Sequence, residues 1–441
     1  MARRPAHAPL DVYLNGRLVG RMRRKSSGAV DFQYDQSWLD WNNAIPVSIS
    51  LPLREDRYIG EPVLAVFEGL LPDNDAIRRR LAERSKADGS DAYSLLAAVG
   101  RDCIGAVQFL PEGMDPGKPG AIDARAVDDA EVADVVGNLA RNPLGVGDDQ
   151  EFRISLAGAQ EKTALLYWNN KWYVPHGTTA TTHIIKPQIG KLPNGVDLSN
   201  SVENEHYYLE LVAAFGLSVA KSQILDFSGK RVLAIERFDR IWTRDNRLLR
   251  VPQEDCCQAL SIPPWRKYES EGGPDIRDLT ELLKGSDTPD EDQKTLFKAQ
   301  LMFWLLGATD GHAKNFSIRL ASGGRFRLTP LYDIVSTQPS IDVGALSHNQ
   351  MKMAMAVGKT RHYIVHTIVG RHFLETAQRC GLPAKMAKDA IEELKAAGVS
   401  AFDRTQAALP GDFPMAVADS IAAAGRRRLA SLTDSAANGG G

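Results

Sequence analysis

The sequence predicts an α+β protein in which a small mixed N-terminal domain precedes a β-rich segment and then a mainly helical one. Short alternations of apolar and polar residues recur up to about residue 256, whereas helical periodicity dominates from Asp278 onward. The 441 residues are enough for two or three domains with a large core, and 43% hydrophobic and 24% charged residues are ordinary values for a globular chain.

The N-terminal domain is predicted to begin with strands and continue with helices. The dipeptide Asn15-Gly16 lies between two alternating runs, which indicates a two-residue hairpin turn. Residues 45–53 form a run bounded by prolines, and we expect an edge strand there. Residues 63–99 show helical periodicity, and Asp73 or Asn74 is expected to cap a helix.

A stretch rich in proline and glycine at residues 111–147 has the composition of a linker and marks the expected domain boundary. We therefore predict an N-terminal domain over 1–145 and a second domain over 146–441, divided into a β-rich lobe (146–258) and a helical lobe (259–441). In the β-rich lobe, Ser199 or Ser201 is expected to cap a helix over 200–215. Its predicted strands are 152–156, 163–168, 182–187, 222–227 and 232–238.

Charge and cysteine content exclude several classes of protein. The net charge of −2 gives the whole molecule no electrostatic attraction to nucleic acid or to a membrane surface. The four cysteines have no metal-binding spacing, and we expect them to be reduced in the cytoplasm. No apolar run approaches the roughly 18 residues that a membrane-spanning helix requires.

The segment 301–318 carries the densest group of candidate catalytic residues. Its apolar first half predicts the end of a buried helix, and Gly307 and Gly311 place the polar residues that follow on a loop. Asp310 and Asn315 are five positions apart, as are the base and the metal-binding asparagine of the protein-kinase catalytic loop. Taken alone, these residues favour a polar turn at a helix end, because the His-Arg pair that precedes the kinase aspartate is replaced here by Ala308-Thr309.

A second carboxylate downstream favours the catalytic interpretation. Asp333 lies 18 positions after Asn315 and is expected at the end of a short apolar strand. In protein kinases, an aspartate that follows the catalytic loop holds Mg²⁺ between the phosphates of ATP. We therefore predict that Asp310 is the catalytic base and that Asn315 and Asp333 hold the metal.

A lysine and a glutamate of the β-rich lobe fit the same scheme. Lys186 ends an apolar strand, and Glu205 lies 19 positions later in the predicted helix. Kinases pair such a strand lysine with a helix glutamate, which directs the lysine at the α- and β-phosphates. An edge lysine whose amine reaches solvent would give the same pattern.

Two further segments are candidates for nucleotide binding. Gly158 lies in a turn between predicted strands, where main-chain N–H groups and Lys162 would surround a phosphate. Residues 236–240 close a strand, and their main chain suits an adenine edge as well as it suits a charged strand end. The full set predicted to contact ATP is Ala157, Gly158, Ala159, Gln160, Glu161, Lys162, Lys186, Glu236, Arg237, Phe238, His312, Ala313, Lys314, Asn315, Tyr332 and Asp333.

Together these segments resemble the HipA family, the kinase toxins of bacterial toxin–antitoxin pairs. The resemblance extends in order over nearly the whole chain. The matching segments are 50–53, 70–73, 100–106, 153–162, 182–186, 236–239, 307–315 and 332–333.

This resemblance implies a two-lobed protein-kinase-like fold behind a family-specific N-terminal domain. It implies a Ser/Thr protein kinase that uses ATP and Mg²⁺ to phosphorylate glutamyl-tRNA synthetase, so that translation stalls and growth stops. It also implies a small HipB-like DNA-binding antitoxin as partner, with operator DNA bound mainly through that complex. Finally, it implies inhibitory autophosphorylation at Ser155, a residue expected to face the polar side of its strand.

Two other functions remain compatible with the sequence. A small-molecule kinase of the aminoglycoside type shares the Asp310–Asn315 spacing but usually has a histidine before the aspartate, where this chain has Thr309. A non-catalytic module that only assembles with a repressor would not need Lys186 and Asp333 together with that pair.

Overall fold

The computed structural model describes residues 7–146, 154–192 and 196–437. Arg153, the first residue of one matching segment, lies outside these ranges. The strands, numbered in chain order, are β1 (Leu10–Leu14), β2 (Arg17–Arg24), β3 (Val30–Tyr34), β4 (Tyr58–Ile59), β5 (Val107–Pro111), β6 (Ala124–Val127), β7 (Thr163–Trp168), β8 (Lys171–Pro175), β9 (His183–Pro187), β10 (Gly190–Lys191), β11 (Asp197–Leu198), β12 (Ser222–Phe227), β13 (Lys230–Glu236), β14 (Arg240–Trp242), β15 (Leu248–Arg250), β16 (Gln253–Asp255), β17 (Ser317–Leu320), β18 (Phe326–Leu328), β19 (Lys352–Val357) and β20 (His362–Ile364).

The helices are α1 (Gln36–Leu39), α2 (Glu61–Glu68), α3 (Asp75–Ser85), α4 (Ala92–Val99), α5 (Asp129–Gly137), α6 (Ser201–Ala214), α7 (Cys256–Ala259), α8 (Ile276–Leu283), α9 (Pro289–Leu306), α10 (Gln338–Asp342), α11 (Gly370–Arg379), α12 (Ala384–Ala407) and α13 (Met415–Ala437). None of these described helices is both long enough and apolar enough to cross a membrane.

The chain folds into two compact units. Unit 1 comprises Met1–Pro187, Leu225–Trp265 and Ser317–Phe326, and unit 2 comprises Gln188–Ile224, Arg266–Phe316 and Arg327–Gly441. The boundary predicted at residue 145 therefore lies inside unit 1, and the division into domains stays a prediction.

Unit 1 contains a five-stranded sheet and most of a six-stranded sheet. The first has the order β4-β3-β2-β1-β5 and is antiparallel throughout. Phe67 of α2 packs edge to face against two residues of this sheet, Phe32 of β3 and Phe109 of β5. The second sheet has the order β12-β13-β9-β7-β8-β6, and α5 packs on β9 and β13. β6 comes from the stretch predicted to be a linker, so that stretch contains a strand that the sequence pattern did not indicate.

Buried ion pairs hold distant parts of unit 1 together. The carboxylate of Asp102 accepts hydrogen bonds from Arg237 at 3.2 Å, Arg240 at 2.8 Å and Arg250 at 2.9 Å. All four side chains are buried. Arg237 and Arg240 also pair with Asp239, so the cluster compensates most of its buried charge.

Unit 2 is mainly helical, as predicted for the C-terminal part of the chain. α9 packs against α8, α12 and α13, and α6 packs against α12. Trp304 of α9 contacts Phe373, and its indole N–H donates to the carbonyl of Val365 at 3.1 Å. The β19–β20 hairpin in this unit was not predicted from the sequence.

Several predicted elements are confirmed. The hairpin at Asn15-Gly16 forms, and both of these residues have the positive φ that the turn needs. Asn74 caps α3 by accepting from the N–H groups of Ala76 and Ile77. Strands 163–168 and 222–227 are found at the predicted bounds, and the strands predicted over 182–187 and 232–238 are shifted by one or two residues. The strand predicted over 152–156 does not form in its described residues, where Ile154 makes only an isolated bridge with Asp102, and residues 152 and 153 lie outside the described ranges.

The strand predicted over 45–53 is wrong. The main-chain groups of this segment bond to side chains instead of a neighbouring strand: the hydroxyl of Tyr34 accepts from Val47 and donates to Leu51. Glu254 accepts from the N–H of Ile49 at 2.8 Å. Side chains distant in sequence thus replace the β-ladder.

The cap predicted for the helix over 200–215 is also wrong. Asn200 occupies the N-cap position of α6 without a side-chain cap bond. The hydroxyl of Ser201 instead accepts from the N–H of Ile189 at 2.9 Å.

Candidate active site

The loop that carries Asp310 begins where α9 ends. Gly307 has φ +70°, and its N–H donates to the carbonyls of Phe303 and Trp304, which closes the helix with a left-handed residue. A Cβ on Gly311 would lie 2.2 Å from the Phe303 ring, so only glycine fits there without displacing the ring. The helix end and the loop predicted from the glycines are therefore confirmed.

Asp310 presents its carboxylate to solvent on this otherwise buried loop. Its side chain is 58% exposed, whereas His312, Lys314 and Asn315 are buried. The hydroxyl of Tyr268 donates to Oδ1 of Asp310 in a short hydrogen bond. Tyr268 thus fixes the rotamer of the candidate base. Nothing in the sequence pattern pointed to it, because it lies 42 positions away on a different segment.

Asn315 ties the two halves of the candidate site together. Its Nδ2 donates to the main-chain carbonyl of Asp310 at 2.9 Å and to that of Asp333 at 3.0 Å. Because the amide nitrogen makes both bonds, the amide oxygen is turned away from these carbonyls. The predicted grouping of Asp310, Asn315 and Asp333 is thus brought together within unit 2.

Asp333 adopts a backbone conformation that is uncommon for a residue with a side chain. Its φ is +57°, in the left-handed region. Tyr332 helps to hold it, since the Tyr332 hydroxyl donates to the carbonyl of Lys314 at 3.1 Å. Such strain persists only where the surrounding structure fixes it, and it is concentrated at functional sites.

The strand expected to end at Asp333 is not formed. β18 stops at Leu328, and Leu331 forms only an isolated bridge with Val219. Beyond Asp333, Asn204 of α6 exchanges two hydrogen bonds with the main chain of Ser336, at 2.8 and 2.9 Å. These two side-chain hydrogen bonds fix the segment for which the sequence suggested the main-chain hydrogen bonds of a strand.

The donor set of Asn315 and Asp333 fits a magnesium ion. Mg²⁺ prefers oxygen ligands and is usually held by one or two carboxylates together with phosphate oxygens. The carboxylate of Asp333 and the amide oxygen of Asn315 supply such oxygens from a fixed backbone.

His312 lies beneath the candidate base. Its ring meets that of Tyr268 edge to face, with centroids 4.9 Å apart, and its Nε2 is 3.7 Å from Oδ1 of Asp310. Burial lowers the pKa of His312 below its usual value, although the charge of Asp310 opposes this. The imidazole is therefore neutral near pH 7 and supports the Tyr268–Asp310 contact by packing.

The remaining predicted residues of unit 2 are buried with the loop. Ala313, Lys314 and Asn315 form a single 3₁₀ turn directly after His312. Glu205 is a buried residue of α6. Its predicted ion pair with Lys186 stays a prediction.

In unit 1, the predicted phosphate loop is held by its own side chains. Gly158 has φ +107°, and a Cβ there would lie 2.5 Å from the Lys162 amine. That amine donates to the carbonyl of Ala157 at 2.7 Å. Gln160 donates to the carbonyl of Pro187, and Glu161 pairs with Arg80 at 2.8 Å. The positive φ and the nearby Lys162 amine explain why glycine occupies position 158. A role in ATP binding stays a prediction for all residues of the segment 157–162.

Lys186 and the segment 236–238 lie on adjacent strands of unit 1. β9 and β13 pair so that Lys186 is opposite Leu233, and the Lys186 side chain is buried. Glu236 ends β13, and the carbonyl of Phe238 accepts from Arg319 at 3.1 Å. The Arg237 side chain belongs to the Asp102 cluster, which leaves only its main chain for a nucleotide.

Ser155 does not face a polar surface, contrary to the prediction. It is fully buried, and its hydroxyl donates to the carbonyl of Leu70 at 2.8 Å. Its N–H donates to the carbonyl of Asp102 at 3.0 Å. Ile154 and Leu156 are buried as well, so the alternation of faces expected for a strand does not hold here.

Comparisons with known proteins agree with this architecture. A model of the HipA N-terminal domain matches residues 10–110, and a model of the HipA-like C-terminal domain matches residues 154–402. Protein Y4mE of Sinorhizobium fredii is 36% identical over 354 residues, which cover 79% of this chain and 81% of Y4mE. The serine/threonine-protein kinase toxin HipA of Shewanella oneidensis is 26% identical over 362 residues, covering 79% of this chain and 78% of the toxin.

A solved structure shares the fold over almost the whole chain. It is that of the Shewanella oneidensis HipA, HipB and operator DNA complex, with a TM-score of 0.79 and 22% identity. The match covers 96% of this chain and 98% of the other. The predicted fold class, a kinase-like fold behind an N-terminal sheet domain, is therefore confirmed.

Proposed function

The chain belongs to the HipA family and is a kinase, and we propose that it transfers the γ-phosphoryl group of ATP to a serine or threonine hydroxyl of a protein. The observation that carries this proposal is the Asn315 amide, which joins the main chain of Asp310 to that of Asp333. The buried side chain of Asn315 thereby fixes the position of Asp310, whose carboxylate faces solvent, relative to Asp333, the candidate metal ligand.

In this scheme Asp310 orients the acceptor hydroxyl and takes its proton as the phosphoryl group is transferred. The Tyr268 hydrogen bond occupies one lone pair of Oδ1 and leaves Oδ2 for the substrate. Asn315 and Asp333 would hold Mg²⁺, which when bound offsets the negative charge of the phosphates. Lys186 would contact the α- and β-phosphates.

The kinase reaction is tested with Asp310→Asn. The amide still accepts the Tyr268 hydrogen bond but takes no proton, so we expect phosphoryl transfer to fall about 10²- to 10⁴-fold while Mg·ATP affinity changes little. Transfer of label from γ-labelled ATP and calorimetry measure the two effects. Label transfer at the unmodified rate would reject Asp310 as the base.

The metal assignment has its own test. Asp333→Ala deletes the anionic ligand, so Mg·ATP binding by calorimetry is expected to become undetectable. Asp245→Ala is the matched control, since Asp245 is an exposed carboxylate that pairs with the neighbouring residues Thr243 and Arg247. Unchanged affinity in Asp333→Ala would remove this residue from the metal site.

The substrate and the partners are further parts of the proposal. We propose that the protein is the toxin of a toxin–antitoxin pair, that it phosphorylates glutamyl-tRNA synthetase, and that a HipB-like antitoxin and operator DNA bind to it as a complex. Support comes from family membership and from the Shewanella structure, which is a complex of HipA, HipB and operator DNA. A cytoplasmic location follows from this choice of substrate.

This part is tested by incubating the purified protein with labelled ATP and the synthetase, with and without its tRNA. Label on the synthetase is expected from the unmodified protein and not from Asp310→Asn. Growth arrest that persists with Asp310→Asn would favour the non-catalytic co-repressor instead.

We also propose that Ser155 is the site of inhibitory autophosphorylation. Phosphate would add about 1.5 to 2 negative charges. A buried hydroxyl bonded to the Leu70 carbonyl has no room for that group, so modification requires the segment to leave its place. Mass spectrometry on protein made with and without Asp310→Asn tests the origin of the phosphate. Full ATP affinity in homogeneous phosphorylated protein would refute the inhibition.

A further inference from the structure

A recess in unit 2 opens beside the candidate base. It encloses about 560 Å³, and its walls include Tyr268, Thr309 and the β19–β20 hairpin. Tyr268 donates its hydroxyl to Asp310, and Thr309 directly precedes Asp310 in the chain. A ligand in this recess therefore lies next to the carboxylate that would accept the proton.

The charged side chains that line the recess are cationic. They are Lys352 and Arg361, and none of the described lining residues is acidic. Lys352 is exposed and pairs with no carboxylate in the described part of the chain. Lys352 therefore adds to the recess a positive charge with which none of the described carboxylates pairs, while the Asp310 carboxylate lies beside the recess.

Arg361 adds hydrogen-bond donors in spite of its ion pair. Its Nη2 donates to Glu269 at 2.7 Å and to the hydroxyl of Tyr363 at 3.2 Å. These contacts fix the guanidinium, and within the described residues its Nε and Nη1 donate to no other group, while the side chain is 54% exposed. A guanidinium held in this way presents the remaining N–H groups to a carboxylate at little cost in conformational entropy.

The rest of the lining suits a peptide. Tyr268 and Tyr363 contribute aromatic walls, and Met353, Ala354 and Ile364 contribute apolar surface. Aromatic, methionine and arginine side chains are those enriched where proteins bind other proteins. The hairpin is anchored by buried Glu269, which accepts from the N–H of Ala356, so the surface is preformed.

We propose that this recess binds the segment of the protein substrate that flanks the phosphorylated residue, and that it selects segments carrying aspartate or glutamate. The inference rests on the proposed kinase function and specifies its substrate class. Lys352 and Arg361 are the specificity-determining residues, since their cationic groups meet the carboxylates while Asp310 meets the acceptor hydroxyl.

Peptide binding tests this without catalysis. Two fluorescent peptides share one serine and differ only in whether its neighbours are Asp and Glu or Asn and Gln. Fluorescence anisotropy, without ATP, should show the acidic peptide binding about tenfold tighter at low salt, a difference that salt screens. Lys352→Glu should abolish the preference and favour a peptide with lysine in the same positions.

A matched control lies on the same hairpin. Lys359 is exposed in the turn between the two strands and does not line the recess, so Lys359→Glu makes the same charge change outside it. It should leave the preference intact. In kinase assays, Lys352→Glu should raise the KM for the acidic peptide about tenfold and leave the KM for ATP unchanged.

The outcomes separate the two proposals. Equal affinity for both peptides overturns the proposal that the recess binds acidic peptides. An equal effect of Lys359→Glu and Lys352→Glu overturns it too, and so does RNA that displaces the acidic peptide from the unmodified protein but not from Lys352→Glu. If the peptides bind as expected but no serine is ever phosphorylated, the kinase function fails and the acidic-peptide site stands.

Discussion

The double contact of Asn315 leads to a prediction that separates its positioning role from metal binding. Asn315→Asp keeps the shape of the side chain and adds a charged oxygen ligand, so a residue that served only the metal would tolerate it. A carboxylate, however, donates no hydrogen bond. It would place an oxygen opposite the carbonyls of Asp310 and Asp333, at the sites where Nδ2 now lies 2.9 and 3.0 Å away.

The size of the effect follows from the bonds lost. Two hydrogen bonds at about 1 kcal/mol each amount to about 2 kcal/mol for Asn315→Ala. The Asp310 carbonyl keeps the N–H of His312 at 2.9 Å, so its loss is partly compensated. Asn315→Asp should cost more than Asn315→Ala, because the ionised carboxyl adds repulsion to the lost bonds.

Thermal unfolding and kinase activity together provide the assay. Asn315→Asp should melt several degrees below the unmodified protein at pH 8 and recover part of this loss near pH 5. The introduced carboxyl is stabilised in its protonated form, since only that form donates, and this contribution is lost as pH rises. Asn138→Asp is the control, because Asn138 makes one amide bond to a carbonyl on an exposed helix end. A variant with the stability and activity of the unmodified protein would refute the positioning role.

Three further predictions concern the scaffold. Asp102→Asn should lower the free energy of unfolding by about 3–5 kcal/mol in denaturant titration, since three buried arginines lose their shared charge. The control Asp245→Asn, at an exposed ion pair, should leave the free energy of unfolding nearly unchanged. Burial raises the pKa of Glu254 from the usual 4.5 to about 8. The contribution of this carboxyl to the free energy of unfolding is therefore present in full below pH 4.5 and is lost as pH rises through about 8. Melting curves should show Glu254→Gln losing less stability than the unmodified protein between pH 5 and 8.5. Gly311→Ala should lower both stability and kinase activity, because its Cβ would lie 2.2 Å from the Phe303 ring, and equal melting temperatures would contradict this.

Elements determined by neighbouring residues could be predicted from the sequence. The end of α9 follows from an apolar run closed by Gly307, and the hairpin at Asn15-Gly16 follows from two residues that tolerate positive φ. The cap at Asn74 is likewise a local interaction, with atoms two and three residues away. In each case the deciding contacts lie within one turn of the chain.

Elements determined by distant side chains could not be predicted in this way. The segment 45–53 has the composition of a strand, but Tyr34 and Glu254 satisfy its main chain. Tyr268 has no sequence motif around it and gains its role only because unit 2 brings it to Asp310. The left-handed conformation of Asp333 could not be predicted, because the position is not occupied by glycine or asparagine, the residues that usually adopt it.

The same distinction applies within the candidate site. Spacing alone led to the prediction of Asp310, Asn315 and Asp333, because the chemistry of a metal and a base restricts which residue types occur at such intervals. Spacing did not show why Asp310 remains exposed while the residues after it are buried. Asn315 and His312 bond to its carbonyl and Tyr268 bonds to its carboxylate, so backbone and side chain are both held without covering Oδ2. A base fixed in this manner loses little entropy when a substrate hydroxyl approaches. For that reason, loosening any one of these contacts should reduce turnover before it reduces ATP binding.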